Sequence, residues 1–456
     1  MSSDWSTTPL DERLAWVARF RKLLAQRELA ICQAISEDVS KSRFEALTSD
    51  VIPLLAACKW LEANAGYLLA PRSIRQTPFW LKGLSITQMR APLGRVAIIA
   101  TWNYPVQLLG IQLVQALAAG NTVVVKPSER SPKSQKMLLD LAIEARLPEG
   151  VLSWTQATRE AGATLLAGER FDHVIFTGST AVGKTIAQTV APTLTHVTLE
   201  LSGRDSALVL DDADPVLAAK SIWAAVCINA GQSCIGPRRA IVHGTVYKPF
   251  SDALSTLAKK TQPRVMIDEQ AAGTCYELIK SAIEMGGRDA MGEAYGTPNP
   301  QGSYPPPVGR KFRPTAVLDC PSVASLVDGK HFGPALAVVR VERMDQMLDV
   351  HHRCNQHLAT SVFTASPARA RRLAPLLGAT SIVINDCIVP TAHPGVSIGG
   401  RGESGVGLSR GSEGLLAMTR PIYISTSKGL MRKSLQEPSP FMIGLLAKAA
   451  MWIYKR

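Results

Sequence analysis

Pairing is what the cysteines lack. All eight (32, 58, 227, 234, 275, 320, 354 and 387) are scattered, without a CxxC or a repeated spacing. Neither a zinc site nor a disulfide framework is legible, and no metal is expected. The histidines add nothing metal-like: His351 and His352 are adjacent, a spacing that turns helical side chains apart. No apolar run reaches the roughly 18 residues of a spanning helix. The first residues carry acids and no apolar core, so no secretory leader is expected and a cytoplasmic setting is. Charged residues make up only 19% against 46% apolar, which excludes a disordered chain and indicates a large core. No internal repeat is visible.

Acidic residues are the scarcer sign. Lys and Arg number 50 against 37 Asp and Glu, a net charge of +13. Residues 401–456 hold nine basic and three acidic residues, so much of the excess is a local C-terminal feature. Nucleic acid is not an expected partner.

At 456 residues the chain has room for two or three domains. Thr8-Pro9-Leu10-Asp11 reads as a helix start, and Leu10, Leu14, Val17, Leu24 and Ile31 recur at helical spacing. Residues 9–70 are therefore expected to be helical. Alternating Leu84, Ile86 and Met89 before Pro92-Leu93-Gly94 predict an extended hairpin over 75–95. Short apolar runs follow at 96–100, 122–126, 174–177 and 207–210, separated by helical stretches. That alternation predicts a parallel sheet covered on both faces, with ligands at the carboxyl ends of its strands. Further strands are expected at 335–339 and 381–384, and a Pro/Gly/Ser-rich surface loop at 296–310.

Two residues suggest chemistry. Cys234 follows Asn229-Ala230-Gly231-Gln232-Ser233, and Glu200 stands upstream in Leu199-Glu200-Leu201-Ser202-Gly203. A thiolate attacks carbonyls, and a carboxylate activates water. The plain alternative is a buried structural cysteine, the usual fate of a free thiol. A competing motif is Gly178-Ser179-Thr180-Ala181-Val182-Gly183-Lys184-Thr185, which satisfies the GxxxxGK[ST] phosphate-loop pattern after a strand. With Asp211-Asp212 as a magnesium-positioning pair, it offers a nucleotide hydrolase as a rival function. What both readings share is a helix start that presents N–H groups to a phosphate.

In order along the chain, Trp102-Asn103-Tyr104-Pro105, Lys126-Pro127-Ser128-Glu129, Phe176-Thr177-Gly178-Ser179, Glu200-Leu201-Ser202-Gly203 and Gly231-Gln232-Ser233-Cys234 are followed by Phe332-Gly333-Pro334, Asn385-Asp386 and Gly399-Gly400. Ser404-Gly405-Val406-Gly407 closes the series. Together they resemble the aldehyde dehydrogenase superfamily, nearest its class 3, fatty aldehyde branch. The resemblance implies an α/β fold: a Rossmann-like cofactor-binding domain, a second α/β catalytic domain and a small β oligomerisation extension. The implied divisions are 1–203 for the cofactor domain and 204–395 for the catalytic domain. Residues 396–435 return to the cofactor domain and supply an oligomerisation segment, and 436–456 form an apolar, basic tail.

It further implies an NAD(P)-dependent enzyme that oxidises an aldehyde to its carboxylate. Cys234 would be the nucleophile, Glu200 the base for thioester hydrolysis and Asn103 the oxyanion donor. Trp102, Lys126, Glu129, Gly178, Ser179, Gly183, Leu201 and Phe332 would hold the coenzyme. Glu129 would repel a 2′-phosphate, which favours NAD and leaves NADP open. A homodimer is the implied assembly.

Two departures stand out. Lys330 occupies the position where the family carries a glutamate for the nicotinamide ribose, and an ammonium accepts no hydrogen bond. A catalytically impaired relative with a binding or assembly role is therefore an alternative. Arg204-Asp205 and Ser397-Ile398 also differ from the family pattern but remove no reacting group. Residues 441–454 are apolar apart from Lys448 and are flanked by basic residues. They read either as an interfacial helix giving peripheral membrane contact at the inner face of a membrane or as a helix packed on a partner subunit. Class 3 fatty aldehyde enzymes also end in apolar tails, so the resemblance implies a long or otherwise apolar aldehyde.

Overall fold

A computed structural model describes residues 4–75, 77–78, 81, 83–292, 306–427 and 438–455. By contacts the chain divides into two units, residues 1–69 with 91–420, and residues 70–90 with 421–456.

The larger unit opens with the expected helices, Leu10–Gln26, Glu28–Val39, Arg43–Ala46 and Ile52–Leu69. The first begins after Pro9 rather than under a Thr8 cap, with Asp11 and Glu12 in its first turn, where acids suit the helix dipole. Val17, Leu24 and Ile31 are buried as their spacing requires, and with Trp16 and Phe20 they cover the first sheet. A five-residue π-helical segment, Leu47–Val51, interrupts the series. Such bulges are frequent at functional sites.

The first sheet contains β1 (Arg95–Ile99), β2 (Thr122–Lys126), β3 (Leu152–Trp154), β4 (His173–Thr177) and β5 (His196–Glu200). Their spatial order is 3-2-1-4-5, all parallel, the Rossmann order. The strand order reverses at the β1/β4 boundary, and the crevice beyond those carboxyl ends is where sheets of this kind hold a ligand. Helix α1 (Gln107–Ala118) follows β1 and is buried along its whole length. Helix α2 (Thr180–Val190) follows β4, and the Ser179 hydroxyl at its N-cap accepts from Val182 N.

The second sheet is formed by β6 (Asp205–Val209), β7 (Pro237–His243), β8 (Arg288–Asp289), β9 (Thr315–Leu318), β10 (Ala335–Val341), β11 (Ala359–Phe363) and β12 (Ser381–Ile384). Its order is 8-9-10-7-6-11-12, parallel except where β8 meets β9. The chain then returns to the first sheet, where β13 (Gly405–Val406) pairs antiparallel with β5 and sets Gly405 opposite Glu200.

In the smaller unit, Arg72–Ile74 pairs antiparallel with Leu84–Pro92, which is also bonded to Thr419–Ser427. The expected hairpin is thus one part of a three-stranded sheet. Helix α3 (Pro440–Tyr454) lies in the same unit, and its apolar side chains are exposed. Most of the expected surface loop at 296–310 lies outside the described residues.

Candidate active site

Cys234 is the only one of the eight cysteines that is not buried. The bend that presents it is unusual, because Asn229, Ala230 and Gly231 all have φ between 51° and 68°. At Gly231 a side chain is excluded twice over: the backbone is left-handed, and an added Cβ would meet the Gly333 carbonyl carbon at 2.5 Å. Arg238 fastens this bend. Its fully buried guanidinium donates to Gly231 O (2.7 Å), Ser233 O (2.7 Å) and Gly333 O (3.3 Å), and lies over the Phe332 ring.

Asn103 is buried beside it. Its Nδ2 donates to Gln232 O at 3.1 Å, its Oδ1 accepts from the Thr101 hydroxyl, and its own carbonyl accepts from Asn229 Nδ2 at 2.8 Å. The two loops are thereby laced together across 129 residues of sequence. Glu200, at the end of β5, is buried and accepts from Gln112 Nε2 and from the Ser409 hydroxyl. Burial first, and then the Glu200 charge, push the Cys234 thiol up to about 11, against the opposing influence of Arg410 and Arg238. Cysteine, carboxylate and carboxamide therefore share one site. Gln112, Ser409 and Arg238 were not singled out from the sequence, and no local motif marks any of them.

A cleft of about 1020 Å³ opens beyond the carboxyl ends of β1, β2 and β4. Trp102, Lys126, Glu129, Gly178, Ser179, Phe332 and Lys330 are on its wall. Gly183 and Leu201 lie behind the wall, where a Cβ on Gly183 would come within 2.5 Å of the Leu201 side chain. That contact seats α2 against β5. Trp102 and Phe332 meet edge-on with centroids 5.8 Å apart. Lys126 Nζ and Arg159 Nε each stand 2.9 Å from the Glu129 carboxylate. Burial works to raise the Glu129 pKa, but the hydrogen bonds from Lys126 and Arg159 override it and bring it down to about 2. Gln112 also donates to the Thr177 hydroxyl, linking Glu200 to the cleft wall.

The cleft fits a dinucleotide in volume, in place and in chemistry. Gly178 leaves the approach to α2 bare, since a Cβ there would strike the Phe176 ring. The N-terminus of α2, where one N–H is taken by Ser179 and the dipole is positive, suits a pyrophosphate.

The phosphate-loop rival finds no such support. Lys184 is turned outward and ion-paired with Glu403 at 2.8 Å. Asp211 and Asp212 follow β6 in the other sheet, held by Arg369 and Thr364. The histidines also depart from expectation, for the His351 and His352 rings lie 5.0 Å apart instead of diverging. Each is bonded to a main-chain oxygen, of Leu377 and Leu376 respectively. Among the described residues no group of side chains could hold a metal.

A Rossmann-ordered sheet, a dinucleotide-sized cleft and a single cysteine that is not buried are the parts of a coenzyme-dependent oxidoreductase. The chain belongs to the aldehyde dehydrogenase family, whose model matches residues 1–424. Among relatives, it is 29% identical to a 4,4′-diapolycopene aldehyde oxidase of Methylomonas sp over 96% of this chain and 81% of that one. It is 29% identical to aldehyde dehydrogenase family 3 member A2 of Mus musculus over 94% of this chain and 87% of the relative. Among solved structures, a Mycobacterium tuberculosis aldehyde dehydrogenase complexed with NAD+ superimposes with a TM-score of 0.84 at 25% identity, covering 94% of this chain and 88% of that one. The protein is thus an NAD(P)-dependent aldehyde dehydrogenase, and its reaction is oxidation of an aldehyde to the acid.

Proposed function

We propose that Cys234 is the nucleophile, Asn103 the oxyanion donor and Glu200 the hydrolytic base. The observation that carries this reading is the bond from Asn103 Nδ2 to Gln232 O, which ties a neutral N–H donor to the loop that ends in the one cysteine that is not buried. Attack by the Cys234 thiolate on the aldehyde carbon gives a thiohemiacetal. Its oxyanion is stabilised by the second Asn103 N–H and the Cys234 main-chain N–H, neutral donors of the kind that stabilise developing charge without solvent reorganisation. The nicotinamide of the bound coenzyme supplies the hydride acceptor, and the remaining acyl group stays on sulfur as a thioester. Glu200, fixed by Gln112 and Ser409, takes a proton from the water that hydrolyses it. The test is to trap that acyl group. Glu200→Gln mixed with aldehyde and NAD should accumulate a thioester on Cys234, seen by mass spectrometry. A fully active Glu200→Gln enzyme without adduct contradicts the assignment.

For the coenzyme, Lys126 and Glu129 hold the adenosine ribose, with Trp102, Gly178, Ser179 and Phe332 along the rest of the cleft. Glu129 is ionised at neutral pH and repels a 2′-phosphate, which favours NAD. A second reading, an impaired relative, rests on Lys330, which stands on the cleft wall where a carboxylate would accept from a ribose hydroxyl. The substrate class we infer is a long or otherwise apolar aldehyde, supported by the exposed apolar face of α3 and the single Lys448 within it. Peripheral contact of α3 with a membrane surface and assembly as a homodimer complete the reading. No helix among the described residues is long and apolar enough to cross a membrane.

A further inference from the structure

Far from the motifs in sequence, an ion pair is buried completely. Lys41 Nζ donates to Asp50 Oδ2 at 2.6 Å, and the two side chains are 1% and 0% exposed. Removing two charges from water is costly, and such a pair is weak evidence of stabilisation by itself. Its surroundings indicate another role. Asp50 lies in the π-helical segment Leu47–Val51, and its second oxygen accepts from Val106 N (3.1 Å) and Gln107 N (3.2 Å) at the start of α1. Lys41 also donates to the Ser49 hydroxyl (3.2 Å) and stands 4.1 Å from the centre of the Tyr104 ring. Its three N–H groups are thus committed to a carboxylate, a hydroxyl and an aromatic face. Tyr104 is buried next to Asn103, and its hydroxyl lies beside the fully buried Ser233, which precedes Cys234.

We propose that Lys41 and Asp50 are positioning residues for catalysis, clamping residues 103–107 from behind so that the Asn103 carboxamide stays in register with Cys234. Asp50 grips the main chain just after the loop, and Lys41 grips the ring of Tyr104 within it. Neither touches substrate or coenzyme. A loop fixed at one end only would let the donor drift, and a misplacement of about 1 Å costs roughly a hundred-fold in rate. This inference rests on the roles given above to Cys234 and Asn103.

The test uses Lys41→Met, Asp50→Asn and the double variant, with Asn103→Ala and Cys234→Ala alongside. Two reactions of the thiol are compared. Alkylation by iodoacetamide displaces iodide at a saturated carbon and forms no oxyanion, whereas aldehyde oxidation requires one. Each single variant should lose about a hundred-fold in kcat, while NAD affinity and the iodoacetamide rate stay within about two-fold. A merely structural pair predicts loss of all three readouts together. The double variant removes both charges, so it remains interpretable where a single variant fails to fold, and it too should lose kcat selectively. Unchanged kcat in a folded variant, or parallel loss of alkylation and coenzyme binding, overturns the proposal. Full activity in Asn103→Ala or Cys234→Ala overturns the underlying mechanism instead.

Discussion

Asn103 and Gln232 are joined by a 3.1 Å hydrogen bond from side-chain nitrogen to main-chain oxygen, connecting the loop after β1 to the loop that ends in Cys234. Because both residues are buried, the carboxamide has little freedom to swing away. Replacement by alanine removes a prepositioned donor, and Asn103→Ala should lower kcat by about 10²–10³-fold. Steady-state kinetics should show this while NAD binding, followed by fluorescence quenching, is unchanged.

The state of the thiol sets the pH dependence. Burial and the nearby Glu200 charge favour the neutral form of Cys234 and raise its pKa to about 11. Below that value each unit of pH reduces the thiolate about ten-fold, so the rate of alkylation by iodoacetamide should rise steadily from pH 7 to 10. Glu200→Gln removes the larger of the two charges that raise the thiol pKa, Glu200 ahead of Asp205. The profile should then move to lower pH, with faster alkylation at pH 8. An identical profile for parent and variant contradicts the coupling.

Gly231 carries the bend before the nucleophile. Gly231→Ala places a methyl group against Gly333 at a left-handed φ of 68° and should destabilise the protein by about 1–3 kcal/mol. The expected result is a lower thermal midpoint together with reduced alkylation of Cys234. An unaltered midpoint would show that the bend relaxes freely.

How much of this was readable beforehand follows from what each element presents to solvent. β1, β2 and β4 were legible because buried parallel strands read as unbroken apolar runs. β5 and β7 were not. Thr198 in β5 is buried against the His173 ring, and β7 buries Arg238 and Arg239, which donate to main-chain carbonyls and, from Arg239, to the Ser206 hydroxyl. Cys234, Glu200 and Asn103 could be named from short motifs in family order. Gln112, Ser409 and the Lys41–Asp50 pair could not, because their partners are fixed by tertiary packing and leave no local pattern.

Lys330 separates the active reading from the impaired one. Lys330→Glu would restore a hydrogen-bond acceptor on the cleft wall, and the KM for NAD should fall by about two- to ten-fold. In an active enzyme kcat should not rise with it. A large gain in kcat would mark the parent as impaired.

The tail has its own test. Removing residues 438–456 deletes α3, and co-sedimentation with anionic liposomes should fall sharply relative to the full chain. Equal sedimentation of the two forms would exclude membrane contact through this helix.

The most direct measurement is NADH formation across a chain-length series of straight-chain aldehydes, with Cys234→Ala as the control. Turnover should improve with chain length in the parent and be lost in the variant. Equal NADH formation by Cys234→Ala would contradict the assignment of Cys234 as the nucleophile.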